Sequence, residues 1–492
     1  MRKFLMGLFA AIISLCIFTS PIVALAGNGY TYTYDYWGDE QDSPDAYRIL
    51  EVITYSELGL DRKLSNPQGI FIRKDMIYVC DTGNNRIIQI KRQGDEFLPV
   101  RVIDRFFGET DINTFSGPSD IYVSDNEDMY ICDTENNRIV KLDKDLKLLS
   151  VLTKPEDVTF DQSLSYFPVK VVADESGRAF VLAKNVNKGI IKYENDGTFT
   201  GFIGANEVKY TWYEYVWRKL STQEQKAKQA SFVPTEYSNL CIDREGFLYT
   251  VTATFSTEEL KTDQAKPIRK LNTTGKDILI KNGNYPPIGD LQWSTVVNFD
   301  GPSRMSDITA MDNEVYFALD RVRGRIFGYD SQGNLLFAFG GSGNMKGYFL
   351  TPSAIEHMGT DLLVLDSTDC SITVFTPTEY GSLLYKAIDE YMAGDYDASA
   401  AAWSKVLEYN GNYDQAYIGL GRALLRKGEY KQAMEYFKLT WNASNYSKAF
   451  KLYRKQWVEE HIGIIFLTAA VVLVIPLTLG RYKRIRQEVE KA

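Results

Sequence analysis

The strongest constraint on this chain is a motif that recurs six times between residues 67 and 377. Each copy begins with a proline followed by a short apolar strand, and the prolines are Pro67, Pro118, Pro168, Pro234, Pro302 and Pro352. Successive prolines lie 51, 50, 66, 68 and 50 residues apart. Evenly spaced short strands with a period near 50 are typical of propeller blades. We therefore predict a mainly β fold, a six-bladed β-propeller over residues 47–377.

The spacing also predicts how the ring closes. A fourth, outer strand is expected shortly before each proline, yet the sixth repeat ends after its third strand, near Phe375. The segment RILEVIT, residues 48–54, lies at the matching distance before Pro67. We predict that this strand completes the sixth blade, because closure leaves no open sheet edge.

Two stretches of the repeats, Tyr78–Ile90 and Tyr130–Leu142, resemble NHL repeats, which form β-propellers. An Asp and an Arg recur five residues apart in three repeats, as Asp81 and Arg86, Asp133 and Arg138, and Asp320 and Arg325. Repeat six instead has Asp366 and Ser371. Two interpretations are open: the aspartates form a ring of ligand or metal groups at one mouth, or each pair holds its own turn by hydrogen bonds.

After the propeller the apolar period becomes helical. The triplets Gly394-Asp395-Tyr396 and Gly428-Glu429-Tyr430 lie 34 residues apart, and the segment Ala416–Lys438 resembles tetratricopeptide repeats. That resemblance implies a small α-helical domain over residues 381–460 and a protein partner. Two repeats with a cap are fewer than the usual three, so we expect this unit to pack against the propeller or a partner.

Both ends of the chain carry membrane signals. Residues 1–26 have two basic residues, an apolar run and a small-residue site, which predicts a signal peptide. Residues 462–480 form an uncharged run of 19 residues, which is long enough for a transmembrane helix. The basic tail 481–492 is predicted to be cytoplasmic. The protein is thus expected to be a single-pass membrane protein with its N-terminal ectodomain outside the cell. The aromatic segment 27–46 is predicted to strap the propeller rim, with glycan or partner binding as the alternative.

Composition removes several function classes. The net charge is −9, which together with export argues against nucleic-acid binding. Only two histidines are present, which excludes multi-histidine metal sites. We recognise no nucleophile elbow, phosphate loop or metal-ligand cluster, and we assign no catalytic residue, metal ligand or cofactor.

The candidate ligand site comes from insertions that lengthen repeats three and four. One insertion is rich in aromatic residues. All the insertions are expected to lie at one mouth of the propeller, together with the charged residues that follow the prolines. Aromatic walls with convergent polar groups suit a carbohydrate or another small polar ligand. The alternative is that the aromatics only fasten the inserted helix. The candidate residues are Tyr210, Trp212, Tyr213, Tyr215, Trp217, Asp120, Lys170, Glu236 and Arg304.

These features predict a bacterial, membrane-anchored protein that acts outside the cytoplasm as a ligand-binding or protein-interaction scaffold. The alternative is an enzyme, since six-bladed relatives of this repeat family include gluconolactonase-like and lyase proteins that use a divalent metal in the channel. That alternative needs carboxylates converging on the axis, for which the sequence offers only Asp120 and Glu236.

Overall fold

The computed structural model describes residues 30–491 except for 109–111, 158–159, 161, 164, 187, 205–236, 254, 256–265, 284 and 293–300. It contains a six-bladed propeller built from consecutive antiparallel sheets. The strands of blades one to three are β4 Gly69–Arg73, β5 Met76–Asp81, β6 Arg86–Gln93, β7 Glu96–Ile103, β8 Pro118–Val123, β9 Met129–Asp133, β10 Arg138–Leu142, β11 Leu148–Leu152, β12 Phe167–Ala173, β13 Ala179–Lys184, β14 Ile190–Tyr193 and β15 Phe199–Ile203.

Blade four has three strands within the described residues, and a short two-stranded ladder precedes blade five. The strands of blades four to six are β16 Asn239–Ile242, β17 Leu248–Val251, β18 Ile268–Leu271, β19 Leu291–Gln292, β20 Gly301–Pro302, β21 Met305–Ala310, β22 Tyr316–Asp320, β23 Arg325–Tyr329, β24 Leu335–Gly340, β25 Pro352–Met358, β26 Asp361–Asp366 and β27 Ser371–Pro377. The predicted fold class is confirmed.

Apolar cores lie between neighbouring blades. The second strand of a blade is covered on both faces, and all five residues of β22 are buried. Strands buried on both faces are apolar along their whole length rather than at alternate positions. This explains why the repeats appear in the sequence as short continuous apolar runs.

Strand β3 (Tyr47–Ile53) closes the ring. It pairs antiparallel with β27, with Tyr47 opposite Pro377 and Ile53 opposite Ile372. The closure predicted from repeat spacing is confirmed. Because the first strand of the propeller completes its last blade, the ends of the ring are hydrogen-bonded to each other.

The aromatic N-terminal segment forms a hairpin on the outer edge of blade five. Its strands are β1 (Tyr32–Tyr34) and β2 (Glu40–Asp42), and β1 pairs with β24. Tyr32 is fully buried, and its hydroxyl donates to Asp290 over 2.7 Å. The hairpin is thus part of the fold, as the strap interpretation requires.

In the described part of the chain, five α-helices follow the propeller: α1 Glu379–Ala393, α2 Tyr396–Tyr409, α3 Asp414–Lys427, α4 Tyr430–Leu439 and α5 Ala443–Val489. The repeated glycines end helices, since Gly394 and Gly428 adopt φ values of +84° and +87°. That left-handed conformation favours glycine. Asp395 then caps α2 by accepting a hydrogen bond from Ala398 N.

The helices pack directly on blades five and six. Tyr47 stacks on Phe339 with 5.2 Å between ring centroids, and its hydroxyl lies 2.7 Å from that of Tyr385 on α1. The hydroxyl of Tyr413, just before α3, donates to the carbonyl of Leu336 over 2.9 Å. One continuous core therefore joins the two units, and the propeller supplies the surface that a two-repeat stack lacks.

Helix α5 runs for 47 residues without a break, although Pro476 lies within it. At 1.5 Å per residue its length is about 70 Å. Among the described residues, it is the one helix long and apolar enough to cross a membrane. The same helix begins in the tetratricopeptide segment, where Ala449 is fully buried.

Candidate functional site

At one end of the propeller, the conserved-looking Asp and Arg of blades one and two hold their own turns. Arg86 Nε donates to Asp81 Oδ2 over 2.7 Å, and both side chains are buried. Asn84 donates to the same oxygen, while the backbone N–H of Ser65 donates to Asp81 Oδ1. Both carboxylate oxygens accept hydrogen bonds, from the turn itself and from the segment before blade one, so the structural interpretation is confirmed for this pair.

Blade two repeats this arrangement, but blade five departs from it. Arg138 Nε donates to Asp133 over 2.8 Å, as in blade one. In blade five, Asp320 pairs with Arg323 instead of the predicted Arg325. Arg325 instead donates to Asp290 over 2.7 Å. It also donates to the hydroxyl of Tyr32, which the N-terminal hairpin brings to the edge of blade five.

A central cavity of about 840 Å³ opens at the other end of the propeller. Its walls are the first strands of all six blades and the turns that follow them, such as Lys74, Asp125, Ser176 and Gly359. The sequence had placed the ligand mouth at the opposite end, where the inserted loops emerge. The structure therefore offers a different mouth as the candidate site.

Equivalent positions on the six first strands form one level of this channel. Strand pairing identifies them as Gly69, Asp120, Lys170, Asn239, Asp307 and Ala354. Two of the candidates predicted from sequence, Asp120 and Lys170, are among them and line the cavity. The structure brings these two together.

In blades four and five, the residue at this level of the channel lies three positions after the one predicted from the sequence. Asp307 takes the place expected for Arg304, and Asn239 takes the place expected for Glu236, which lies outside the described residues. The Arg304 side chain donates to the carbonyl of Ala253, so it binds blade four instead of entering the cavity wall. Counting from the proline failed because blades four and five start their first strand later than the others.

A local signal could have found Asp307. The run Asp307-Ile308 matches Asp120-Ile121 as an acidic residue that opens an apolar strand. In both blades the carboxylate accepts a backbone N–H from the next blade, Val171 in one case and Ile355 in the other. Aligning strands instead of prolines would have paired these two aspartates.

Lys170 projects into the channel beside Asp120. Its Nζ lies 2.9 Å from Asp120 Oδ1. Burial acts to lower the pKa of Lys170, but the carboxylates of Asp120 and Asp307 outweigh it and hold that pKa well above its ordinary value. Lys170 is therefore a fixed positive charge, and Asp120 neutralises it.

Asp307 lies across the ring from Asp120. Its two oxygens accept the backbone N–H groups of Ile308, at 2.8 Å, and Ile355, at 2.7 Å. Burial raises the pKa of Asp307 to about 7, although the Lys170 charge acts in the opposite direction. Near neutral pH this carboxyl group is thus divided between its protonated and ionised forms.

Glu356 belongs to a hydrogen-bonded cluster one step further along the channel. Its Oε1 accepts from Thr309 Oγ1 at 2.5 Å and from the backbone N–H of His357 at 3.0 Å. The ring nitrogen Nδ1 of His357 lies 2.7 Å from Thr309 Oγ1. Burial acts to raise the pKa of Glu356, but the His357 and Thr309 contacts outweigh it, so the pKa lies below its ordinary value. Glu356 is ionised at neutral pH.

The aromatic candidates cannot be placed in this arrangement. Tyr210, Trp212, Tyr213, Tyr215 and Trp217 lie outside the described residues, and their ligand role stays a prediction. The cavity has aromatic residues of its own, Phe71 and Tyr122, with 5.0 Å between ring centroids. The guanidinium of Arg73 lies over both rings.

No metal centre emerges from the part of the chain that the structure describes. Within it, no group of three or more His, Cys, Asp or Glu side chains is arranged to hold a metal ion. The channel carboxylates Asp120 and Asp307 accept hydrogen bonds on both oxygens, and Glu356 accepts them on Oε1. These groups give the cavity negative charge and hydrogen-bond acceptors.

Comparison with known families agrees with this architecture. The NHL repeat model matches residues 115–142, and the tetratricopeptide repeat model matches residues 390–454. The fold and these matches define the chain as a six-bladed propeller containing NHL repeats and joined to a tetratricopeptide segment. A comparison with curated proteins finds no match.

Solved propellers resemble the chain only distantly. A catalytically inactive virginiamycin B lyase from Staphylococcus aureus with quinupristin is 12% identical, with a TM-score of 0.40, over 66% of this chain and 87% of that one. A streptogramin B lyase structure is 13% identical, with a TM-score of 0.40, over 68% of this chain and 100% of that one. Similarity at this level assigns no activity to the present chain.

Proposed function

We propose that this protein is a membrane-anchored binding protein whose propeller receives a small polar ligand in the central cavity. The observation that carries the proposal is the cavity itself, of about 840 Å³, with Lys170, Asp307 and Glu356 converging on it. Ligand sites are concave spaces of roughly 300–1,000 Å³ with a few convergent polar groups. A carbohydrate or another hydroxylated compound fits this description.

The anchor in this proposal is α5. Its apolar residues 462–480 follow Glu459 and Glu460 and precede the basic tail that begins at Arg481. The excess of positive charge favours a cytoplasmic tail. The propeller then lies outside the cell, held by a helix that is continuous with the tetratricopeptide segment.

A second role, contact with a protein partner, is favoured by the end of the tetratricopeptide segment. Leu439, the last residue of α4, is 64% exposed, and Trp441, between α4 and α5, is 74% exposed. Large exposed aromatic side chains are enriched at protein interfaces. We propose this corner as the contact point for a partner at the cell surface.

An enzymatic role has less support from the cavity. The metal-dependent alternative needs a set of metal ligands, and the described residues do not form one. Lys170 and Asp120 neutralise each other in an ion pair. We therefore propose binding without assigning a reaction.

Cys241 provides a direct test of the channel site. It lines the cavity, whereas Cys80, Cys132 and Cys370 are buried. Burial raises the pKa of the Cys241 thiol well above its usual value, so labelling with a small thiol reagent needs alkaline pH. A sugar, amine or lactone that binds the full-length protein in the channel should slow this labelling.

The matched control is Cys241→Ser, which should remove the protectable signal. A compound that binds without changing Cys241 labelling would place the ligand site elsewhere on the molecule. The anchor is tested separately with protease added to intact cells, which should digest the propeller and spare a tag at Ala492. Loss of that tag would contradict the proposed orientation.

A further inference from the structure

The charged groups of the cavity are distributed unevenly around its wall. The walls of blades one to three contain four Lys or Arg residues, Arg73, Lys74, Lys170 and Arg178. Three of these have carboxylate partners within 3.1 Å, namely Asp125, Asp120 and Asp174. This side of the channel is nearly neutralised by its own ion pairs.

The walls of blades five and six are different. The lining residues they contribute include Asp307, Asp312 and Glu356 but no Lys or Arg. Asp312 lies at the exposed rim near Arg244, at 3.8 Å. Among the described residues, neither Asp307 nor Glu356 has a Lys or Arg within ion-pair distance. His357 Nδ1 lies 3.1 Å from Glu356 Oε1, and Lys170, which acts on Asp307 through its charge, is paired with Asp120. The acidic wall is therefore only partly neutralised from within.

Glu356 is also held in a way that leaves part of it free for a ligand. All of its hydrogen bonds from described residues fall on Oε1, where Thr309 and His357 fix the carboxylate. Its Oε2 therefore remains available at the cavity surface. An ionised carboxylate in a half-closed space gains most from a cation that donates hydrogen bonds to it.

We propose that the blade five and six wall binds the protonated amine of an organic ligand, with Glu356 as the principal contact. This inference rests on the channel site proposed above and names the chemical class that the site selects. An ammonium group supplies both the positive charge and the hydrogen-bond donors that Oε2 lacks. A bare metal ion is a poorer match, because the described residues form no multidentate set.

The pH dependence of binding is a second measurable consequence of the proposed amine contact. The groups facing Asp307 are Lys170 from blade three, Cys241 from blade four, and Glu356 and His357 from blade six. A bound cation favours the ionised form of Asp307, whose pKa is about 7 without ligand. Amine binding should therefore release protons and strengthen as the pH rises from 6 to 8.

The test uses three polyols that differ in one group: glucamine carries an amine, sorbitol a hydroxyl and gluconate a carboxylate. Binding to the full-length protein in lipid nanodiscs is measured by calorimetry at pH 7. Glucamine should bind about tenfold or more tightly than sorbitol, and gluconate should bind least. A Glu356→Gln variant, which keeps the Oε1 acceptor, should reduce the preference for glucamine to about twofold or less.

The matched control is Glu194→Gln, which removes a carboxylate outside the cavity that pairs with Lys192. It should leave the preference for glucamine unchanged. If Glu356→Gln fails to fold, the pH series on the natural protein decides, because an affinity for glucamine that stays flat or falls between pH 6 and 8 would overturn the inference.

The other outcomes separate this inference from the proposed function. Equal or tighter binding of sorbitol or gluconate, with slower Cys241 labelling, would overturn the amine assignment and leave the channel site standing. An amine preference that survives in Glu356→Gln would overturn the role of Glu356. Absence of binding by all three polyols, with unchanged Cys241 labelling, would overturn the inference and count against the channel site as well.

Discussion

The propeller contains two kinds of buried aspartate that serve different purposes. Asp81, in the turn between the second and third strands of blade one, accepts hydrogen bonds from Arg86 and from the backbone N–H of Ser65. Asp307, in the first strand of blade five, accepts the backbone N–H groups of Ile308 and, from the next blade, Ile355. The contrast is between a buried carboxylate that contacts its own counter-charge and one that is held by backbone donors alone. In the proposed function, the second kind faces the ligand.

The largest expected effect comes from removing ring closure, on which the turn and the channel carboxylates both depend. Deleting residues 47–53 removes β3 and exposes the edge of β27. It also removes Tyr47 from the core shared with the helices. We expect the variant to lose cooperative unfolding, which circular dichroism measures, and to aggregate, which light scattering measures. A deletion variant that unfolds like the parent would show that the ring closes without β3.

Breaking a turn pair should be the next largest effect. Asp81→Ala removes the buried carboxylate that pairs with Arg86 and leaves that guanidinium only the exposed Asp61 as a carboxylate partner. This should cost about 3 kcal/mol of unfolding free energy. The matched change in the cavity, Glu356→Gln, should stay within about 1 kcal/mol because its retained oxygen still accepts the Thr309 hydroxyl. Urea unfolding measures both. Equal losses of unfolding free energy would remove the distinction between the turn and the channel carboxylates.

A third prediction concerns the helical segment, which shares a core with blades five and six. A Cβ on Gly419 of α3 would lie 2.3 Å from the Trp403 ring of α2. Gly419→Ala should therefore cost about 1–3 kcal/mol through overpacking. Hydrogen exchange should show faster opening of α2 and α3 while blades one to three keep their protection. Uniform loss of protection would indicate that the two units unfold together.

The last prediction concerns the pH dependence of stability that Asp307 imposes. Its pKa is raised from 3.8 to about 7 by burial, so the folded state holds the proton more tightly than the unfolded state does. The stability contributed by this group is present at low pH and is lost as pH rises through 7. Between pH 5 and 7 the loss is about 2 kcal/mol.

The control for this effect is Asp307→Asn, which should flatten the stability profile over that range. Carboxyl titration by NMR measures the group directly. A midpoint near 4 for Asp307 would contradict the interpretation of the cavity.

Much of the fold was predictable because its signals are local in the chain. The 50-residue period placed the blades, the shortened sixth repeat placed the closing strand, and the 34-residue spacing of Gly394 and Gly428 placed the helices. Each signal reflects a backbone requirement, such as the left-handed conformation at the two glycines. The turn pairs were also accessible, since Asp and Arg five residues apart face each other across one turn.

The sequence by itself therefore determined the architecture, the turn chemistry and the apolar C-terminal helix. Only the tertiary structure decided where the cavity lies, because it collects residues from six first strands spread over nearly 300 positions. It also decided that Arg325 pairs with Asp290 and that Asp307 replaces Arg304 at the channel level. Contacts between blades depend on how sheets pack side by side, and that packing leaves no fixed spacing along the chain.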